Sequence, residues 1–537
     1  AGVLLMSRAF IDYSTSGLEN PLTALVAIGT LAWAFQETRG RWWLTGIWLG
    51  VSAAYLTRPD AVLLVLPVAM WAVVQTRPWR PSVTGVVVGL LPAIAWSVFA
   101  LIYFGFPLPN TAYAKLATSI NASERVHQGF LYLLDSINRD PITLTAIGAA
   151  FVIATIERSR EAWLTAAGIA LSLGYVIWIG GDFMSGRFLA APVLIGVWLL
   201  VRVQQVAEAD WRPVFVVLGV AALASPLLPI RSNSSFNAAE PLNGIVDERG
   251  VYFQGWSLLK ADRLAFAEPE WPRWNGNSKP EYVLDTCGLM GADGLSWGPR
   301  TYMLDECALA DPLLARLPAA WNVEWRPGHF RRMIPDGYRE SVRRDTNELR
   351  DPKLAEYYGA LRDVVRSPSL WSARRLGTIW SMNVGTFDDR IDTRFYKFGG
   401  EVTTLSTLSH VVPDGSPWNA PEAHTFNTLL AVTCDDHPGR NVLDVSLDSD
   451  DRYRLTFLKH NHIEGAVVVD VVPRDKRVPG LASHIVTIPE RARRHGFDTI
   501  VVIELAGDAH KAVGHLLLDG EESTALELGR RFGASVR

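Results

Sequence analysis

Residues 82–104 read SVTGVVVGLLPAIAWSVFALIYF, a run of 23 positions without a charged side chain. As an α-helix this run would rise about 34 Å, enough to cross a hydrocarbon core of about 30 Å. Outward from it, comparable apolar runs recur at about 20–37, 42–57, 61–75, 141–156, 162–179, 188–206 and 213–229. The first 230 residues therefore read as a polytopic helical membrane domain of about eight spans. The second and third runs flank the Arg58-Pro59-Asp60 break and are short enough to form a re-entrant pair instead. Charge divides the 537-residue chain at the same place: residues 1–230 hold 14 Lys/Arg and 12 Asp/Glu, residues 231–537 hold 37 and 43. The first share is far below that of a soluble domain, and the second matches it. A net charge of −4 gives no electrostatic footprint for nucleic acid. With 20 Trp, 21 Phe and 14 Tyr available for packing, disorder is excluded as well.

Arginine pairs set the orientation. Arg39/Arg41, Arg77/Arg80, Arg158/Arg160 and Arg202/Arg212 fall in alternate connections, whereas the opposite short connections each balance an Arg with a carboxylate. The positive-inside rule puts the Arg pairs in the cytoplasm. The 105–140 connection, read as a long loop, and everything after residue 230 are then expected outside. Ala1 opens the chain without an initiating Met or a charged leader, and it too falls outside, so an odd number of spans is expected upstream.

Four polar strings gather at that outer face: Gly17-Leu18-Glu19-Asn20, Arg58-Pro59-Asp60, Pro107-Leu108-Pro109-Asn110-Thr111-Ala112-Tyr113-Ala114-Lys115, and Gly180-Gly181-Asp182-Phe183-Met184-Ser185-Gly186-Arg187. Ionisable groups at a bilayer boundary are costly unless paired or in a wet cavity, so they are functional candidates. The plainer reading is that Asp60 and Asp182 only neutralise Arg58 and Arg187. Four clusters on one face favour the functional one. The residue types suit transfer at a lipid headgroup: Lys and Arg hold a phosphate, a carboxylate serves as base or nucleophile, and Asn, Tyr and Glu position sugar hydroxyls. No nucleotide-binding loop and no His/Cys cluster of zinc spacing is present, so an activated donor would be presented by the membrane.

Residues 231–390 alternate helical and extended signals and read as an extracytoplasmic α/β domain. Cys287 and Cys307, 20 residues apart, are favoured as a disulfide over two buried thiols, which leaves Cys434 over. From 391 to 537, short alternating runs at about 403–412, 424–434, 441–448, 452–459, 465–472, 483–488, 498–505 and 513–519 predict a β-sandwich of jelly-roll type. Such a sandwich could bind carbohydrate, for which Trp418 and Tyr453 are the stacking candidates, although packing is the commoner use of such residues.

The four outer-face strings resemble the GT-C class of polytopic membrane glycosyltransferases, in its arabinofuranosyl-transferring branch from mycobacteria and corynebacteria. So do Asp311-Pro312-Leu313-Leu314-Ala315-Arg316-Leu317-Pro318, Arg326-Pro327-Gly328-His329-Phe330-Arg331-Arg332 and Pro335-Asp336-Gly337-Tyr338. The resemblance covers about residues 10–385. It implies a plasma-membrane enzyme that moves arabinofuranose from decaprenyl-phosphoryl arabinose to the ends of cell-wall arabinan, in arabinogalactan and lipoarabinomannan, through terminal β-(1→2) linkages. Its C-terminal domains would be extracytoplasmic, and its partners the polyprenyl-phosphate donor, the arabinan acceptor and the bilayer. Retention of configuration follows from a β-linked donor and product, by an enzyme nucleophile or a front-face route.

Related GT-C enzymes carry their key carboxylate in the first extracytoplasmic loop, a segment this chain lacks, so the main catalytic Asp is expected upstream. Three further spans there would restore a cytoplasmic N-terminus. Among the residues at hand, Asp60 and Asp182 are the catalytic candidates. Lys115, Arg187 and His329 are expected on the donor phosphate, and Glu19, Asn20, Arg58, Asn110 and Tyr113 on substrate. No cofactor is required by these strings, and a divalent metal is compatible with oxygen ligands alone. Two other readings stay open: a motility-linked or scaffolding membrane protein, and a GT-C transferase of another polyprenyl-phosphate sugar such as mannose. A transporter fits less well, because the polar groups gather at one face and no inverted repeat is visible.

Overall fold

The structure is a computed structural model and describes residues 1–204, 212–225, 229, 242–251, 282–287, 290–299, 301–321, 327–460, 462–470, 480–507 and 510–519. The chain forms two compact units. The first is Ala1–Thr118, Ala122–Arg316 and Asn322–Ile391; the second is Ser119–Asn121, Leu317–Trp321 and Asp392–Arg537. The expected boundary at residue 230 lies outside the described residues.

The first unit begins with two short helices, α1 (Gly2–Met6) and α2 (Arg8–Ser14). Then come α3 (Asn20–Ala34), α4 (Trp43–Thr57), α5 (Val62–Gln75) and α6 (Trp79–Tyr103). After them lie α7 (Asn110–Leu116), α8 (Ala122–Arg139), α9 (Pro141–Glu157), α10 (Arg160–Ile179), α11 (Ala190–Gln204) and α12 (Arg212–Leu223). Each of the eight apolar runs is a helix, although the predicted ends of the last two pass outside the described residues. Among the described residues, Trp79–Tyr103 and Arg160–Ile179 are long and apolar enough to cross a membrane, and α8 with α9 would make a third if that pair, bent by 109°, is one span. α3, α4, α5 and α11 have 14 or 15 residues.

The connection 105–140 is not a plain loop. It contains α7 and the 18-residue α8. Hydropathy hides α8 because its buried face is largely polar or small: it buries Gln128, Gly129, Tyr132, Asp135 and Ser136 at helical spacing, while Phe130, Leu134 and Ile137 are exposed. Gly129 lets the backbones of α8 and α10 meet, since a Cβ there would lie 2.3 Å from the Ile177 carbonyl oxygen.

The α/β stretch holds a parallel pair, β1 (Tyr282–Thr286) and β2 (Thr301–Asp305), joined through α13 (Met290–Trp297) as a parallel pair requires. Cys287, just after β1, is bonded to Cys307, just after β2, with Cα atoms 5.2 Å apart. Three more helices close the unit: α14 (Tyr338–Arg344), α15 (Pro352–Val365) and α16 (Ala373–Asn383).

The main stretch of the second unit opens with α17 (Thr393–Lys397). Its strands are β3 (Val402–Thr404), β4 (His424–Thr425), β5 (Leu429–Thr433), β6 (Val442–Asp448), β7 (Arg452–Lys459), β8 (His462–Val469), β9 (Leu481–Thr487), β10 (Thr499–Ala506) and β11 (Ala512–Leu518), with α18 (Glu490–His495) before β10. They pair as two sheets, in the orders β3-β5-β10-β7-β8 and β4-β11-β6-β9. Alternate residues of both sheets, among them Leu430, Val432, Val445, Leu447, Leu455, Phe457, Ile500, Val502, Val513 and Leu516, share one core, as in a sandwich.

Two strand expectations are corrected. The run 403–412 is extended only to Thr404 and then turns through the 3-10 segment Leu405–Leu408. The run 424–434 breaks into β4 and β5, one in each sheet. The break is a corner held by Glu401, whose carboxylate accepts the backbone N–H groups of Asn427, Thr428 and Leu429. Tyr453 is buried in the core with its hydroxyl donating to Asp451, so it offers no face to a sugar. Trp418 packs beside Val412, Leu481 and Ala512, and its ring stacks on His510 at 4.2 Å.

Candidate functional site

Three of the four outer-face strings converge. Glu19, at the N-cap of α3, accepts from Arg58 Nη1 at 3.1 Å and from Arg187 Nη2 at 2.9 Å through one oxygen, Oε1. Arg58 also holds Asp60 in a two-point pair, Nε to Oδ1 at 2.9 Å and Nη2 to Oδ2 at 2.8 Å. Arg187 Nη1 donates to Asp182 Oδ2 at 3.1 Å. The chain of contacts runs Asp60, Arg58, Glu19, Arg187, Asp182: three carboxylates on two guanidinium groups. Asn20 Nδ2 donates to the Arg187 carbonyl at 3.0 Å and fixes the end of α3 on the 180–189 loop.

Glycine chemistry explains why that loop can carry the pair. Gly180 ends α10 at φ +89°, and Gly181, at φ +71°, lies so close to the Tyr132 ring that a Cβ would approach it to 2.6 Å. Tyr132 and Tyr13 then clamp the loop by donating to the carbonyls of Met184 and Ser185. Asp182 is buried and also accepts the Phe183 N–H at 3.0 Å. Burial works against the Glu19 carboxylate, but Arg187, a backbone hydrogen bond and Arg58 outweigh it, so its pKa lies below the ordinary glutamate value. Burial likewise opposes the charge of Arg187, and Asp182 and Glu19 more than restore it.

The fourth string sits on α7, which two buried arginines hold. Arg316 lies over the Phe106 and Tyr113 rings at 3.9 and 4.7 Å and donates to Asn110 Oδ1 at 3.3 Å. Arg332 donates to the Ala114 carbonyl at 2.7 Å. Desolvation lowers both arginines, Arg332 to about 10. Asn110 and Tyr113 are therefore engaged with Arg316, Asn110 also donating to the Ala310 carbonyl at 3.2 Å.

Lys115 follows on the same helix, half-buried, and among the described residues no carboxylate lies within ion-pair distance of it. Gly328, at φ +78°, makes room for it: a Cβ there would lie 2.9 Å from Lys115 Cε. The next residue, His329, sets its ring edge-on to Phe183 at 4.2 Å. Lys115, Gly328, His329 and Phe183 thus form a continuous wall that ends at Asp182.

Several residues that matter here were given no role from the sequence. Asp311 is fully buried and accepts from Tyr338, from Tyr302 and from the Leu313 and Leu314 N–H groups, an anchor for the segment that presents Arg316. Burial raises its pKa against those hydrogen bonds. A second ionic cluster lies on α2: Arg8 Nη2 meets both oxygens of Asp247 at 2.7 Å and Asp12 at 3.3 Å, and Arg249 donates to Asp12 at 2.8 Å. The i, i+4 spacing of Arg8 and Asp12 was the one sequence signal for it. Among the described residues no group of three or more His, Cys, Asp or Glu side chains is placed to hold a metal ion.

No protein-family model matches the chain. It is similar to a terminal beta-(1->2)-arabinofuranosyltransferase of Mycobacterium tuberculosis, 26% identical over an alignment of 415 residues that covers 60% of this chain and 64% of the relative. It is also similar to a terminal beta-(1->2)-arabinofuranosyltransferase of Corynebacterium glutamicum, 29% identical over an alignment of 242 residues that covers 37% of this chain and 34% of that relative. The chain thus spans less than two thirds of the length of these curated relatives. The resemblance read from the strings is therefore matched by two relatives of that description.

Proposed function

We propose that the chain is the greater part of a membrane glycosyltransferase that moves arabinofuranose from decaprenyl-phosphoryl arabinose to the ends of cell-wall arabinan, forming terminal β-(1→2) linkages. The observation that carries this reading is the wall from Lys115 through His329 to Asp182, with a carboxylate network at one end and, at the other, a cation that meets no carboxylate among the described residues. The relatives' descriptions supply the sugar and the linkage.

In the reaction the bond from the sugar C1 to the phosphate oxygen breaks, and an acceptor hydroxyl oxygen bonds to C1. The hydroxyl proton passes to a carboxylate, and polyprenyl phosphate leaves with the bonding electrons. Lys115 meets the charge that grows on the departing phosphate, with His329 beside it. Arg187 is held by Glu19 and Asp182, so it reaches a phosphate only by exchanging one of them. Its first role is to fix their positions. Asp60 and Glu19, both partly open to solvent, are the carboxylates able to receive a proton, and buried Asp182 acts through Arg187. Asn110 and Tyr113 shape the mouth through Arg316.

The eight helices of residues 1–230 form the membrane domain, 231–390 the extracytoplasmic α/β domain, and 391–537 a glycan-facing sandwich on the outer side of the plasma membrane. The strand order supports a jelly roll, because β4-β11-β6-β9 over β5-β10-β7-β8 deals consecutive strands alternately to two sheets, except β7 and β8, which pair within one.

The test is sugar transfer by the full-length protein in membranes, from labelled decaprenyl-phosphoryl arabinose to a short α-linked arabinan. A new β-(1→2) linkage lost on Lys115→Ala, with the variant still folded, is the expected result. Transfer that survives the substitution would remove Lys115 from the phosphate site. Absence of transfer from this donor, with transfer from its mannose counterpart, would replace the sugar. Absence from both would favour a scaffold.

A further inference from the structure

Among the described residues the exposed face of α16 has no partner within its unit, and its position names one. The helix reads ARRLGTIWSMN over Ala373–Asn383. It buries Arg375, Ile379 and Met382 on one side, at i, i+4 and i+7. On the other side it exposes Leu376, Trp380 and, just past its end, Val384, again at a spacing of four, with Trp371 just before its start. Trp371 is 69% exposed and Trp380 72%. A soluble surface seldom leaves two tryptophans and a leucine in one stripe.

The buried side of α16 is clamped to the end of a membrane-length helix. Arg375 is 2% exposed, and its guanidinium donates to the last carbonyls of α6, Ile102 at 2.6 Å and Tyr103 at 3.0 Å. A cation on those orphan carbonyls also offsets the negative end of the helix dipole. Asn383 donates to the Gly105 carbonyl at 2.9 Å. Gly105, at φ +83°, is tight against α15, where a Cβ would lie 1.9 Å from Val364 Cγ1.

α6 has 25 residues, so it rises about 37 Å, and its ends must lie near the two polar boundaries of a bilayer. Its C-terminal end exposes Trp96, Phe99, Tyr103 and Phe104, the composition of an aromatic belt at the headgroup level. Whatever touches the Ile102 and Tyr103 carbonyls sits at that level too.

We infer that α16 is an interfacial anchor: its Leu376, Trp380 and Val384 stripe, with Trp371, enters the headgroup layer of the leaflet at the C-terminal end of α6, continuing the aromatic belt of that helix. The helix carries no acidic residue; Arg375 is taken up by the α6 carbonyls and Arg374 donates to Asp363, so the apolar stripe and not charge carries the anchor. The anchor fixes the height of α15 and α16 above the bilayer. The inference rests on α6 as a span and not on the proposed sugar or donor.

Spin labels test it on the full-length protein in vesicles of phosphatidylethanolamine with phosphatidylglycerol, in a Cys434→Ser background so that the label is the one free thiol. Labels go on Leu376→Cys and Trp380→Cys, on Leu91→Cys in the middle of α6, and on Lys353→Cys at the start of α15, and each is scored by relaxation with oxygen against a nickel chelate. Labels 376 and 380 are expected to favour oxygen over nickel, well above 353 and below 91. Nickel accessibility at 376 and 380 equal to that at 353 would overturn the anchor. Protection from both reagents would overturn it in favour of a protein covering the stripe. A nickel-accessible label at 91 would bring down the span itself, and the anchor with it.

Discussion

Two clusters of arginine and carboxylate lie in the helical unit, and they differ in how far they are closed. Around Arg8, the carboxylates of Asp247 and Asp12 and the guanidinium of Arg249 satisfy one another in a site where Arg8 and Asp247 are almost wholly buried. Around Glu19, the contacts are as short, yet Arg58, Asp60, Glu19 and Arg187 all keep some exposure, and the wall beside them leads to Lys115. The first arrangement is closed to solvent around Arg8 and Asp247 and ties α2 to residues 247–249. The second can exchange a protein partner for a ligand. Ion pairing by itself therefore marks neither function nor scaffold. What separates the two is whether a charge is left over at an open edge.

The largest effect that would sharpen this contrast is on stability. Asp247→Ala takes from the buried Arg8 guanidinium its two-oxygen partner, and breaking a buried pair costs about 3–5 kcal/mol. Thermal unfolding in detergent micelles should show a clear loss for this variant. A melting curve like that of the unchanged protein would mean that the Arg8 cluster is not a closed tie.

Lys115→Ala should do the reverse. The ammonium group has no carboxylate to abandon among the described residues, so the melting temperature should hardly move. Transfer, assayed as above, should fall at least roughly thirtyfold, the equivalent of about 2 kcal/mol of transition-state stabilisation. A variant that loses activity and stability together would move Lys115 to the scaffold side of the comparison.

How much of this was legible in the sequence follows from the physics of each signal. Apolar runs are dense enough to mark eight of the twelve helices described in the first 225 residues, because every face of such a helix meets other helices or lipid. α8 escaped because its buried face is made of Gln128, Gly129, Tyr132 and Asp135, which no hydropathy window rewards. In the sandwich, alternation located the long strands β6, β7 and β10. It ran through the Glu401 corner because a side chain capping three amides from 26 or more residues away leaves no local trace. Glu19, Arg58, Asp60, Asp182 and Arg187 lay in three of the four strings read on one face. Of their supports, Asp311, Arg316, Arg332 and Tyr338 lay inside strings that carried the resemblance, but what each one holds was not readable, since a string does not name partners elsewhere in the chain.

The smallest expected effect divides the network by pH. Glu19 has its pKa lowered by Arg187 and Arg58 against the cost of its burial, so its charge stabilises the folded state. A carboxyl with a depressed folded pKa contributes its full stability above the ordinary glutamate value and loses it as pH falls through the folded value. Glu19→Gln removes the charge while keeping the shape, and at neutral pH it should cost about 1.5–3 kcal/mol, the worth of hydrogen bonds to a charged group. Melting curves taken at falling pH should bring the variant and the unchanged protein together below the ordinary range of glutamate, because protonation then does to Glu19 what the substitution has already done. Were the gap to persist in acid, the loss would come from packing at the start of α3, and the bridge between Arg58 and Arg187 would be geometry without energy. Were there no gap at neutral pH, the two arginines would gain nothing from sharing Glu19, and the network would already be poised to release one of them to a phosphate.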